Sequence, residues 1–202
     1  MIIQVFLLGF ILSFIGSIPP GTLNLAVLQL GMEYKIKAAL RFALAVAIIE
    51  YPYAWIAVVF EDWVTASPII VDNFQLITAI VMLAIGAFSV WSARKPSEFS
   101  VRFNESGFRR GLVLSILNPM AIPFWIAYTA FLKSQSWIDL SSQWFVHSYV
   151  LGTSVGVMAL LTLFAFLAKR LAPYVKDNRI VKLVPGITLL LLGIYAFINY
   201  LM

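Results

Sequence analysis

The 202-residue sequence contains no cysteine and a single histidine, His147. Disulfides, thiol redox relays and thiolate metal sites are therefore excluded, and the redox compartment leaves no trace. Charge is scarce too. Asp, Glu, Lys and Arg make up 11% of the residues, under half the share of an average soluble domain, whereas 62% are hydrophobic. With a mean hydropathy of +0.95, the chain has too little polar material to clothe a water-facing surface and needs lipid.

Six long stretches nearly free of charge recur, at about 2–30, 38–60, 68–91, 112–132, 144–167 and 183–201. Each reaches the roughly 20 helical residues that cross a hydrocarbon core of about 30 Å. The expectation is an all-α integral membrane protein of six transmembrane helices with little left over for a soluble domain. The first stretch lacks the positive opening and small-residue cleavage site of a signal peptide and is expected to be retained.

Charge placement orients the chain. Lys35, Lys37 and Arg41 follow the first stretch. Arg94, Lys95, Arg102, Arg109 and Arg110 follow the third, and Lys169, Arg170, Lys176, Arg179 and Lys182 follow the fifth. The remaining two connections carry only Lys133 among basic residues, beside Glu61, Asp62, Asp72 and Asp139. Basic connections face the cytoplasm, so both termini are expected outside and the net charge of +5 reads as topology and lipid contact, not nucleic-acid binding. Trp63, Trp137 and Trp144 at outer ends and Trp91 at an inner end fit interfacial belts.

The two halves resemble each other. Gly9-Phe10-Ile11-Leu12-Ser13 matches Gly111-Leu112-Val113-Leu114-Ser115, and each precedes a proline; Leu83 to Phe88 likewise matches Leu190 to Tyr195. A unit of three spans that repeats must enter the membrane reversed. This predicts two inverted repeats, 1–95 and 107–202, joined by a cytoplasmic linker at 96–106, with a site near the midplane.

Two interruptions mark that site. The first stretch is too long for one straight helix, at about 43 Å for about 29 residues, and Pro19, Pro20 and Gly21 remove donors and ease an unusual dihedral there. Asn118-Pro119 interrupts the fourth stretch, with Pro123 one turn on. Broken backbone at membrane depth survives only where protein or trapped water satisfies it. Thr22, Asn24 and Ser115 lie beside the breaks and either bind a solute or repair the freed backbone. The alternative at both sites is a plain proline kink packed against its neighbours.

Glu50 lies nine residues past Arg41, about 13 Å along a helix and near mid-membrane. A carboxyl there disfavours insertion by at least about 2.5 kcal/mol and belongs to the bundle interior. Desolvation disfavours its charged form, so it either takes and releases a proton or holds a solute's ammonium group; the bland reading is a protonated acid bonded to a neighbouring helix. His147, three residues into its span, reads as interfacial, and Gly152-Thr153-Ser154-Val155-Gly156 as a close-packing seam.

Ser17-Ile18-Pro19-Pro20-Gly21-Thr22-Leu23-Asn24, Glu50, the segment around Gly86, and Gly107-Phe108-Arg109-Arg110-Gly111 leading to Asn118-Pro119-Met120-Ala121 together resemble the LysE/RhtB family of amino-acid exporters over nearly the whole chain. The resemblance implies proton-driven efflux of amino acids or close derivatives across a bacterial inner membrane. Thr22 stands where that family has a second proline and Met120 where lysine is frequent, departures that bear on the substrate. The reading is a secondary transporter working by alternating access on a small-molecule substrate, in contact with protons and the bilayer. It has no cofactor, no metal site and no enzymatic role, and a homodimer is left open. Two other classes stay in view: a divalent-cation exporter on the same scaffold, for which Glu50 stands alone, and a non-transporting membrane scaffold.

Overall fold

The computed structural model describes residues 1–18, 21–66, 107–118, 121–134 and 136–175, with isolated positions within 76–91 and 183–198. Among these residues the architecture is wholly helical. Six continuous helices follow one another: α1 (Ile2–Gly16), α2 (Thr22–Met32), α3 (Ile36–Ala66), α4 (Gly107–Ile116), α5 (Ala121–Ser134) and α6 (Gln143–Val175).

Two of them, α3 through Ile36–Phe60 and α6 through Gln143–Leu171, are long and apolar enough to cross a membrane singly. The first stretch is divided into α1 and α2, and the fourth into α4 and α5. Expected spans three and six fall largely outside the described residues; their helical positions nevertheless pack together, since a Cβ on Gly193 would meet Leu83 at 2.9 Å.

The apolar residues are distributed for lipid. Along α1 the bulky Ile3, Leu7, Ile11 and Ile15, spaced four apart, are exposed, while Val5, Gly9 and Ser13 on another face are buried. Large side chains outside and small ones inside invert the pattern of a water-soluble helix. The small seam lets backbones meet. A Cβ on Gly9 would strike the carbonyl of Tyr149, one on Gly152 that of Phe6, and one on Gly156 that of Phe10. These glycines are what allow α1 and α6, the most extensively packed helix pair, to lie against each other.

The helix ends come in matching pairs. At the end of α1, the Ser17 amide donates to Ser13 and that of Ile18 to Ile15; at the end of α4, Leu117 donates to Val113 and Asn118 to Ser115. Both helices thus finish with one four-residue bond and one three-residue bond. Helix α2 closes with Lys35 donating to Leu30 and Tyr34 to Gly31, around Tyr34 at φ 60°. Helix α5 closes with Trp137 donating to Leu132 and Ser136 to Lys133, around Ser136 at φ 57°. Each is a Schellman closure with a non-glycine residue in the left-handed position, an uncommon choice made twice.

Two buried clusters fill the interior. One joins α2, α3 and α6 through Val27, Phe42, Val46 and Leu161. The other joins α1, α3, α5 and α6 through Val5, Ala57, Trp125 and Tyr149. Helix α3 serves both, with Ala47 the last residue it gives to the first and Ala54 the first it gives to the second. Glu50 lies in the gap between them.

Candidate functional site

Glu50 is the only acidic residue in the 25-residue apolar stretch Ile36–Phe60. Its carboxylate Oε1 accepts the indole N–H of Trp125 from α5 at 2.5 Å. Trp125 is itself fixed: 1% exposed, edge-on to Phe124 with ring centroids 5.0 Å apart and edge-on to Tyr149 at 6.2 Å. A rigid donor is thereby aimed at the one acid of that apolar stretch, across from one half of the chain to the other. An indole donates only, so the carboxyl receives this bond whether or not it carries a proton.

Both helix interruptions lie beside this pair. At the end of α4, the Tyr53 hydroxyl donates to the carbonyl of Ile116 at 2.8 Å. Tyr53 is one turn past Glu50 on α3, so the α4 terminus sits next to the acid. At the end of α1, a Cβ on Gly16 would press into the ring of Phe124, the neighbour of Trp125. There the side chain of Asn24 donates to the Ser17 carbonyl at 2.7 Å. Helix termini leave carbonyls without intrahelical donors. One is met by an amide from α2 and the other by a phenol from α3.

The remaining expected residues are placed as follows. Gly21 is the N-cap of α2, extended at φ −113° and ψ −173°, and, its chain neighbours aside, no atom of the described residues lies within 4 Å of where a Cβ would stand. Thr22 is exposed and opens α2. Ser115 is 4% exposed, and its hydroxyl, like that of Ser13 in α1, meets no partner among the described residues. Asn118 is half-buried just past α4. Pro19, Pro20 and Pro119 lie outside the described residues. Beside the acid, the Tyr51 hydroxyl and His147 Nδ1 share a hydrogen bond of 2.7 Å, tying α3 to the start of α6.

The two ends of the bundle differ. At the end where α1 and α6 begin, a cavity of about 750 Å³ is lined by Gln4, Val58, Lys133, Trp137, Asp139 and Gln143 among others. Asp139 accepts the Ser141 amide at 2.9 Å, and that bond holds its carboxyl below the usual range. At the opposite end a polar chain runs from α2 to α4. Lys35 donates to Glu33 at 2.8 Å, Gln29 donates to Glu33 at 3.1 Å, and Arg110 donates to the Gln29 oxygen at 2.9 Å. The hydrogen bond from Lys35 is the main reason that Glu33 sits below its ordinary value. At this same end Lys169 of α6 lies 3.9 Å over the ring of Tyr34.

Trp125, Tyr53 and Gln29 escape a reading by composition and spacing. A tryptophan at mid-helix, away from either interface, is the signal that would find the first. Tyr53 and Gln29 are ordinary helix residues whose partners lie 63 and 81 positions away. Among the described residues no three His, Asp or Glu side chains gather as a metal site would require.

Helices with bulky apolar exteriors, small-residue seams and an acid in the interior define an integral membrane protein with a polar centre. The chain belongs to the LysE type translocator family, whose profile it matches over residues 14–200. Comparison with curated proteins and with solved structures finds no match in either. The protein is thus a membrane transporter of small solutes, embedded in a lipid bilayer.

Proposed function

We propose that the protein exports amino acids or closely related small solutes from the cytoplasm, coupled to proton movement, by alternating access of two inverted three-helix halves. The observation that carries this reading is the contact of Glu50 in one half with Trp125 in the other, beside the ends of α1 and α4. A hydrogen bond to a charged acceptor is worth about 1.5–3 kcal/mol and one to a neutral acceptor about 0.5–1.5 kcal/mol. Protonating Glu50 therefore loosens the tie between the halves by about 1 kcal/mol, several-fold in an equilibrium. That is a physical route from proton occupancy to conformation.

The paired helix terminations, α1 with α4 and α2 with α5, support the repeat. In this reading Pro19, Pro20, Gly21, Thr22, Ser115, Asn118 and Pro119 line the solute chamber with Glu50, while Asn24 and Tyr53 hold its backbone. The basic residues Lys35, Arg110 and Lys169 collect at one end, which supports a cytoplasmic assignment for it and external termini in a bacterial inner membrane. A cavity at the other end and a polar chain at the basic end fit a state open outward and closed inward.

Liposomes bearing the protein, preloaded with an amino-acid mixture and given an acidic exterior or interior in turn, test the proposal. Efflux faster than from protein-free liposomes, with a rate that follows the pH gradient, is expected. Glu50→Gln should abolish the gradient dependence. Efflux no faster than background sinks the export reading for those solutes, and an unchanged pH response in Glu50→Gln sinks the coupling role.

A further inference from the structure

Arg110 stands in the first turn of α4 and is 4% exposed. A guanidinium presents five N–H donors in a planar fork. Here Nη2 donates to Gln29, while Nε and Nη1, both buried, meet no acceptor among the described residues. Burying a cation with donors unused is costly for any fold, and only a partner offsets it. The nearby carboxylate, Glu33, is already engaged at both oxygens by Gln29 and Lys35. The first turn of α4 adds the partial positive charge of a helix N-terminus. A buried guanidinium with two donors unmet by the described residues selects for an anion.

We propose that Arg110 is a carboxylate-binding residue. A planar carboxylate matches the fork with two parallel bonds, a geometry that a point charge or an amide oxygen does not fill. To take both, it must displace the Gln29 oxygen from Nη2, which breaks the link between α2 and α4. Binding at this end thereby opens this end. That the carboxylate belongs to the exported solute rests on the export reading above; the existence of the site does not.

The full-length protein in detergent, melted under tryptophan fluorescence in sodium chloride, sodium acetate or sodium phosphate at matched ionic strength and pH 7, provides the test. Acetate at about ten times its dissociation constant should raise the midpoint by about 3 °C over chloride, and Arg110→Gln should abolish that rise. Arg110→Lys, which keeps charge without the fork, should retain less than half of it. Gln29→Ala, which removes the competing acceptor, should lower the half-effective acetate concentration several-fold and remains informative if the arginine variants do not fold. No acetate effect, an equal effect in Arg110→Gln, or protection by phosphate alone, as a lipid headgroup site would give, overturns the proposal. Failure of efflux in liposomes with the acetate effect intact sinks the export reading and leaves the site. Efflux without an acetate effect sinks this inference alone.

Discussion

Replacing Asn24 separates its two readings, a ligand for the solute or a clasp on the backbone. The side chain is 4% exposed and gives its amide hydrogen to the Ser17 carbonyl at 2.7 Å, where α1 has run out of its own donors. Leucine has the same branched heavy-atom skeleton, so Asn24→Leu keeps the shape of the side chain and deletes the bond. Side-chain hydrogen bonds in membrane proteins average about 0.6 kcal/mol and reach about 1.7, and an acceptor left buried and unpaired costs about 1–3 kcal/mol. A loss of about 1.5 kcal/mol follows, which for a chain of this length lowers the melting midpoint by about 3–6 °C. Trp fluorescence melts in detergent measure it, and efflux at graded internal solute concentrations supplies the second readout. The clasp predicts lowered stability with an unchanged half-saturating concentration. A variant that melts like the parent but needs several-fold more solute would refute the clasp and make Asn24 a ligand.

Tyr53→Phe removes the corresponding bond to Ile116 in the other half and should cost about 1 kcal/mol, read in the same melts; no change would mean the α4 terminus is satisfied otherwise. Gly156→Ala places a Cβ against the Phe10 carbonyl and 2.9 Å from that of Ser13, forcing α1 and α6 apart at a cost of about 2 kcal/mol. Gly21→Ala, with open space around the new Cβ, should be neutral or slightly stabilising; equal effects of the two alanines would discredit the close-packed seam. Glu33 titrates below its ordinary value of 4.5 chiefly because of Lys35, so its contribution is present above that value and disappears as pH falls through the lower folded one. Glu33→Gln should therefore melt slightly below the parent at pH 7, by about 1–2 °C for an exposed pair. The gap should close as the solution is made acid, and one that does not narrow below pH 4.5 contradicts the assignment.

How much of this was legible beforehand depends on the range of the interaction. Lipid exposure, the apolar stretches and the basic end follow from composition and charge order, because the membrane sorts residues by type whatever their neighbours. The first and fourth stretches each hold two helices, with α1 ending at Gly16 and α4 at Ile116, a few residues ahead of Pro19 and Pro119 in the sequence. Glu50 stood out because a carboxyl at that depth is expensive wherever it points. Its partner did not stand out, since Trp125 carries no charge and its meaning comes from the fold that sets it across from α3. In the sequence Arg110 is one topology charge among thirteen in the basic connections. Only its burial separates it from Arg109, the exposed residue beside it.

A transporter must pass between two closed ends, so neither closure can be strong. At the basic end the hydrogen-bonded link between α2 and α4 among the described residues is the bond from Arg110 to Gln29, worth about 1.5–3 kcal/mol as a charge-assisted bond. The chain beyond it, through Glu33 to Lys35, is exposed and contributes at most about 1 kcal/mol. A minor conformation a few kcal/mol above the major one is populated at roughly 0.1–10%, the range in which a bound solute or a proton can tip the balance. The seam between α1 and α6 is of another order, with backbone carbonyls packed on glycines along about two helical turns. Motion should therefore open the α2–α4 and α3–α5 contacts, with the α1–α6 seam as the hinge about which the two halves rock. Hydrogen exchange ought to find the amides of α1 and α6 protected together and those at the start of α4 opening first. Early exchange at Gly9 and Gly152 would place the hinge elsewhere.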